Sequence, residues 1–191
     1  MLRLLYYPQI LDAEDGINVR AGAHSDFGSL TLLFQEPGGQ PGLEIRDQEG
    51  RWVGVPVDPH DDDSATGAYS PDIKANGDAP RVLPILVNIG DLLEDWTGGL
   101  LISTVHRVVF PKANGAEEAQ GDRYSIAYFL HPLDDARLEA IPSPKILEYV
   151  AKNGGSGARS GHKQGEVDGN GKVMTAKEHL ANRLRATYSI K

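Results

Sequence analysis

Residues 21–35, AGAHSDFGSLTLLFQ, set a histidine and an aspartate two positions apart in front of a run built like a strand. Two readings of His24-Ser25-Asp26 stand side by side. It is a polar turn leading into a sheet, or it supplies two ligands of a metal site whose third member lies far along the chain.

The rest of the chain favours a β scaffold. Glycine (22) and proline (12) cut it into short segments. LRLLYYP, SLTLLFQ, LEIRD, RWVGVPV, RVLPILVNIG, LLISTVHRVVF and RYSIAYFL are short and rich in leucine, β-branched or aromatic residues. EPGGQPG and DQEG have the turn chemistry of hairpin connections. Many short strands with few helices between them predict an antiparallel sandwich or barrel. Residues 58–81 are polar and acidic and read as an inserted loop, and 112–122 as a second exposed loop. After residue 142 the character changes. SPKILEYVAKNG and TAKEHLANRLRATY have helical spacing, Thr175 with Glu178 forms a capping-box pattern, and a Gly/Lys-rich stretch separates the two. The expected organisation is a β core over 1–142 and a C-terminal helical extension over 143–191.

Composition narrows the function classes. A chain of 191 residues with 40% hydrophobic and 24% charged residues fits one globular domain. A net charge of −8 argues against a nucleic-acid partner. No apolar run approaches the ~20 residues that span a bilayer, and the N-terminus lacks a signal-peptide pattern, so a cytoplasmic location is the expectation. Without cysteine, a metal must be held by His, Asp or Glu. The sequence sets no oligomeric state.

Six histidines are candidates for the missing ligand. His162 in the Gly-rich stretch and His179 on a polar helix read as solvent-exposed. His131 before Pro132 reads as structural or surface, and His60 sits in an acidic loop unsuited to a preorganised site. His106 lies inside LLISTVHRVVF, where strand alternation puts Leu100, Ile102, Thr104, His106 and Val108 on one face. It is either a core histidine or the third ligand. In GDRYSIAYFL the same alternation aligns Arg123, Ser125, Ala127 and Phe129. A buried arginine needs an anion, supplied by a protein carboxylate or by a ligand that its fork and the serine hydroxyl would grip. Two histidines and a carboxylate on a rigid β scaffold match the facial triad of non-heme Fe(II) oxygenases. An Arg-x-Ser pair nearby suits a dicarboxylate cosubstrate.

LLYYP, GAHSDFGSLTLLFQ, GLEIRDQEGRWVGVPV, ILVNIGDLLEDWTGGLLISTVHRVVFP and DRYSIAYFLHP occur in this order across most of residues 2–132. With these motifs the chain resembles the isopenicillin N synthase-like branch of the Fe(II)/2-oxoglutarate-dependent dioxygenases. The resemblance implies a double-stranded β-helix, or jelly roll, with flanking C-terminal helices. It implies His24, Asp26 and His106 as iron ligands, and Arg123 and Ser125 as the hold on the distal carboxylate of 2-oxoglutarate. Tyr7 falls where relatives often place a hydroxyl near the cosubstrate. The implied activity is hydroxylation, desaturation or cyclisation of a small organic molecule of secondary metabolism by dioxygen, with succinate and carbon dioxide as co-products and ascorbate as a stimulant. Relatives carry a substantial region before YYP, so a fragment, or a version with an incomplete outer sheet, is expected. Two alternatives accompany this reading: a silent jelly-roll binding module, and a same-fold oxidase that does not use 2-oxoglutarate. Phe27, Leu33, Phe110 and Phe129 are candidates for the cavity wall. Gly22, Gly28, Gly90 and Asp91 read as turn and backbone-fitting residues, and Trp96 as packing under a loop.

Overall fold

The computed structural model describes residues 1–9, 19–36, 41–57, 84–110, 121–139, 141–153, 167 and 170–188. The loop expected over 58–81, residues 112–120 of the loop expected over 112–122, most of the Gly-rich stretch, His60 and His162 lie outside these residues. The strands are β1 (Leu2–Tyr7), β2 (Val19–His24), β3 (Leu30–Gln35), β4 (Leu43–Arg46), β5 (Trp52–Gly54), β6 (Leu86–Ile89), β7 (His106–Val109) and β8 (Arg123–Leu130). The helices are α1 (Asp91–Trp96), α2 (Pro144–Asn153) and α3 (Ala176–Tyr188). Among the described residues no helix is long and apolar enough to cross a membrane.

The strands form two four-stranded antiparallel sheets, ordered β1-β8-β3-β6 and β2-β7-β4-β5. Apart from the β4–β5 hairpin, the chain alternates between them, which makes the fold a jelly roll. β8 shows why the pattern works. Its inward residues Arg123, Ser125 and Ala127 are buried, and its outward Tyr124, Ile126 and Tyr128 are exposed. The outward face of this sheet is apolar throughout, with Leu2, Leu4 and Tyr6 on β1, Phe34 on β3 and Val87 on β6 also exposed. Tyr6 stacks on Tyr124 across the β1–β8 pair at a centroid distance of 5.0 Å.

Two expectations are corrected, and two elements are additional. LLISTVHRVVF is a strand only from His106, because the backbone of residues 101–103 is tied to α1 instead of a ladder: Leu101 N–H donates to Thr97 Oγ1 (3.2 Å) and Ser103 N–H to Glu94 Oε2 (2.8 Å). EPGGQPG is not a hairpin, since β3 and β4 belong to different sheets. DQEG does close the β4–β5 hairpin, with Gly50 at φ 82°. β2 is an additional strand, and its bulged pairing with β7 reflects a sequence, VRAGAH, too short in hydrophobics to announce itself. α1 is a further additional element, a short helix in a segment to which the sequence pattern assigned none. It ends where Gly98 and Gly99 take positive φ (62° and 85°), closing its last carbonyls.

α3 begins with the expected capping box. Glu178 N–H donates to Thr175 Oγ1 (3.3 Å), and Thr175 N–H to Glu178 Oε2 (2.9 Å). Ala176 joins Leu92 of α1 and Leu138 in a buried cluster, with Trp96 packed beside it and donating from Nε1 to Glu139 O (2.7 Å). The hydrogen bond from Lys172, then those from Thr175, hold the Glu178 carboxyl at about 2, below its ordinary 4.5. A lowered native value stabilises the fold above the ordinary value, and that contribution is lost as pH falls through the native one. Stability is therefore expected to decline between about 4.5 and about 2 in part through this residue. Acid titration of Glu178→Gln, followed by circular dichroism at 222 nm, should show a shallower decline over that window than the parent.

Candidate functional site

The cavity between the two sheets has a volume of about 360 Å³ and is lined by Tyr7, His24, Asp26, His106, Arg123 and Ser125 together. Leu5, Leu33, Leu43, Ile45, Val108 and Phe129 supply much of its apolar wall. Of the four candidate wall residues, Leu33 and Phe129 line it. Phe110 and Phe27 instead lie under arginines: Arg20 Cζ is 4.6 Å from the Phe110 centroid, and Arg183 Cζ is 5.4 Å from that of Phe27.

His24 ends β2 and His106 begins β7, and the two are cross-strand partners with ring centroids 4.4 Å apart. Each ring is oriented by its own backbone. His24 Nδ1 lies 2.7 Å from Gly22 O, and His106 Nδ1 lies 3.0 Å from Thr104 O. A carbonyl only accepts, so Nδ1 carries the proton in the neutral ring and Nε2 keeps a bare lone pair. Asp26 is buried at 7% exposure in the corner between β2 and β3. Its Oδ2 accepts from Thr31 Oγ1 (2.6 Å) and Asn88 Nδ2 (2.7 Å), side chains that face each other across β3 and β6. Its Oδ1 stands 3.8 Å from His106 Nε2. One donor atom from each of the three side chains falls within 4.8 Å of the others. Two bare imidazole nitrogens and one carboxylate oxygen, each steadied by a second contact, form a donor set that fits Fe(II).

The corner carrying Asp26 is fixed from outside by α1. Asp91 N–H donates to Asp26 O (2.7 Å), Leu92 N–H to Gly28 O (3.1 Å) and Gly90 N–H to Ser29 O (2.9 Å). This closeness explains two glycines. A Cβ on Gly90 would meet Gly28 O at 2.2 Å, and one on Gly28 would meet Leu130 O at 2.7 Å. Gly22 is different: it sits in β2 with nothing near its Cβ position, so no fit demands glycine there. Asp91 is also more than a turn residue. It opens α1 at 3% exposure, accepts from Ser25 Oγ (3.0 Å) and pairs with Arg183.

Arg123 is 3% exposed, and its hydrogen-bond partners among the described residues are neutral. Nη1 donates to Ser125 Oγ and Nη2 to Gln35 Oε1, both at 3.3 Å, and Cζ lies 5.4 Å from the Tyr7 ring centroid. No described carboxylate makes an ion pair with it, so the protein anion weighed from sequence is not among these residues. Burial pushes its pKa down, with nearby Arg20 adding to the fall and Tyr7 opposing it. A buried cation without a counter-ion calls for an anionic ligand.

His179 corrects its expectation. It is 1% exposed, with Nε2 2.8 Å from Asp95 Oδ2, because the polar helix α3 turns this face onto α1. His131 is exposed at the end of β8, against Gly28. Sequence reasoning missed Thr31, Gln35 and Asn88. The alternation that singled out Arg123 would have found Thr31 and Gln35, polar residues on the inward face of the apolar β3.

A jelly roll with a two-histidine, one-carboxylate cluster and a buried arginine in one cavity defines a non-heme iron oxygenase type of protein. The sequence matches the 2OG-Fe(II) oxygenase superfamily over residues 1–64 and 60–132, and the chain belongs to that family. It is 38% identical over 143 residues to the 2-oxoglutarate-dependent dioxygenase htyE of Aspergillus rugulosus, covering 74% of this chain and 37% of that protein. It is 32% identical to clavatol oxidase claD of Penicillium crustosum, covering 100% and 42%. Among solved structures, a full-length Neurospora crassa protein in complex with alpha-KG and thymine superposes with a TM-score of 0.62 at 32% identity, over 98% of this chain and 44% of that one. The chain thus spans about two fifths of the length of these curated relatives.

Gly90→Ala is expected to lower stability by about 1–3 kcal/mol, the usual cost of forcing atoms into a filled space. Gly54→Ala, where a Cβ meets nothing within 4 Å, should leave it nearly unchanged. Urea melts of the two variants beside the parent measure the difference.

Proposed function

We propose that the protein is an Fe(II)- and 2-oxoglutarate-dependent oxygenase of a small organic molecule. His24, Asp26 and His106 hold the iron, and Arg123 with Ser125 holds the distal carboxylate of 2-oxoglutarate. The observation that carries this reading is the pairing, in one cavity, of the donor cluster with a buried arginine that has only neutral partners. Three protein ligands leave the remaining coordination positions for cosubstrate and dioxygen. The relatives named as 2-oxoglutarate-dependent dioxygenases, and the Neurospora crassa complex with alpha-KG, support the same assignment.

When bound with 2-oxoglutarate and dioxygen, Fe(II) supplies the oxidation of the substrate, with succinate and carbon dioxide as co-products. The protein's own part is positional. Thr31 and Asn88 occupy Asp26 Oδ2 and leave Oδ1 to face the metal position. The carbonyls of Gly22 and Thr104 set the histidine tautomers. Arg123 neutralises a carboxylate at the far end of the cavity, Ser125 adds a hydroxyl, and Gln35 keeps the guanidinium in place. Tyr7, cross-strand from Arg123, bounds the same end. The leucine, isoleucine and valine wall excludes water, and recognition of the substrate by this wall rests on shape and apolar contact.

Anaerobic addition of Fe(II) and 2-oxoglutarate should produce the weak visible charge-transfer band of the chelate. An iron-loaded, folded protein with no band would instead support an oxidase that does not use 2-oxoglutarate, and one that binds no iron would support a silent module. His106→Ala should lose both iron and the band. Arg123→Gln should keep iron but weaken 2-oxoglutarate on the order of a hundredfold, the scale of removing one partner from a buried charge pair. Titrating the band against cosubstrate concentration distinguishes the two variants.

A further inference from the structure

We propose that Asp91 and Arg183 form a latch through which α3 positions the metal-binding corner, so that both act as positioning residues for His24 and Asp26. The proposal rests on the reading of those two side chains as ligands. Three consecutive residues of the corner each touch the pair. Ser25 Oγ donates to Asp91 Oδ2 (3.0 Å), Asp26 O accepts from Asp91 N–H (2.7 Å), and the Phe27 ring lies under the Arg183 guanidinium with Cζ 5.4 Å from its centroid. Arg183 Nη2 donates to the same Asp91 oxygen that Ser25 uses. One carboxylate oxygen therefore joins the residue between the two ligands to the C-terminal helix.

Docking α3 onto the core does not by itself require this contact. One turn earlier His179 meets Asp95 at 2.8 Å, and Ala176 packs against Leu92 and Leu138. His179 and Arg183 are four apart on α3, as Asp91 and Asp95 are on α1, so the helices meet through two successive contacts on facing sides, a His179–Asp95 hydrogen bond and an Arg183–Asp91 ion pair. The first is buried among helix residues. The second alone reaches the corner. Asp91 Oδ1 and Arg183 Nε are buried without hydrogen-bond partners among the described residues, so the shared Oδ2 carries the connection. Loss of the guanidinium would leave a carboxylate at 3% exposure held only by Ser25, free to draw that residue, and the backbone on either side, out of register with β7.

Contacts that orient metal ligands commonly change metal affinity by 10–100-fold. Arg183→Ala is expected to weaken Co(II) binding about tenfold or more, with a distorted visible Co(II) spectrum. Arg183→Lys, which keeps the charge, should recover part of the affinity. Ser25→Ala, which removes one hydrogen bond at low risk to folding, should weaken binding by a few fold. A purely structural role would lower the melting temperature of metal-free and metal-loaded protein alike, leaving the gain on Co(II) addition unchanged; that result, or affinities of Arg183→Ala and Ser25→Ala within twofold of the parent, would overturn the latch. His106→Ala measured alongside separates the two levels. If it binds Co(II) like the parent, the ligand assignment itself is wrong, whereas loss of binding there with parent-like affinity in Arg183→Ala refutes the latch alone.

Discussion

Three backbone amides at the start of α1 hold the corner between the sheets. By giving their N–H groups to the carbonyls of Asp26, Gly28 and Ser29, Gly90, Asp91 and Leu92 use donors that a helix cannot satisfy internally. The corner, a turn without ladder partners, has its exposed carbonyls satisfied in return. The other end of the same short helix reaches the second arm of the site, where Glu94 and Thr97 hold the backbone of Ser103 and Leu101 just ahead of His106. A helix of one and a half turns thus sets the distance between the corner and β7. The donor cluster exists because that distance is fixed.

Two buried charges face each other's problem in opposite ways. Asp26 is surrounded by donors on one oxygen, from Thr31 and Asn88, and by imidazoles on the other. Arg123 has neutral acceptors and an aromatic ring. Neither has a formal counter-ion of opposite sign among the described residues, apart from the imidazoles if protonated. Burying ions this way costs folding energy unless something else completes them. That incompleteness, in a fold whose interior is a cavity instead of packed side chains, is the physical signature of a site made for ligands.

Much of this was legible in the sequence because strands have period two. The alternation in RYSIAYFL placed Arg123, Ser125 and Ala127 on one face, and burial follows that pattern from Arg123 to Tyr128. The capping box at Thr175 and Glu178 was equally local, and equally readable. What escaped was set by tertiary contact. DLLEDW is too short for helical periodicity to register, and its stability comes from what its ends touch. His179 looked solvated because its helix is polar, yet the Asp95 carboxylate helps make its burial tolerable. LLIST reads as strand by composition, but its amides go to Glu94 and Thr97. The donor cluster itself was visible only as residue types in an order. Its convergence depends on the pairing of β2 with β7, two strands separated by most of the β core.

The two faces of β8 carry one more consequence. Tyr124, Ile126 and Tyr128 outside are bulkier than Ser125 and Ala127 inside. Sliding this central strand by one residue against β1 and β3 would turn those large side chains inward at little hydrophobic cost. What such a slip would break are contacts to neighbouring strands: the bond from Arg123 to Gln35 on β3, and its seat over Tyr7 on β1. These contacts tie the arginine to the native register of both neighbouring strands. Because burying an unpaired cation costs energy on its own, an anion at the guanidinium is what would make the cavity-facing side of β8 the favoured inside.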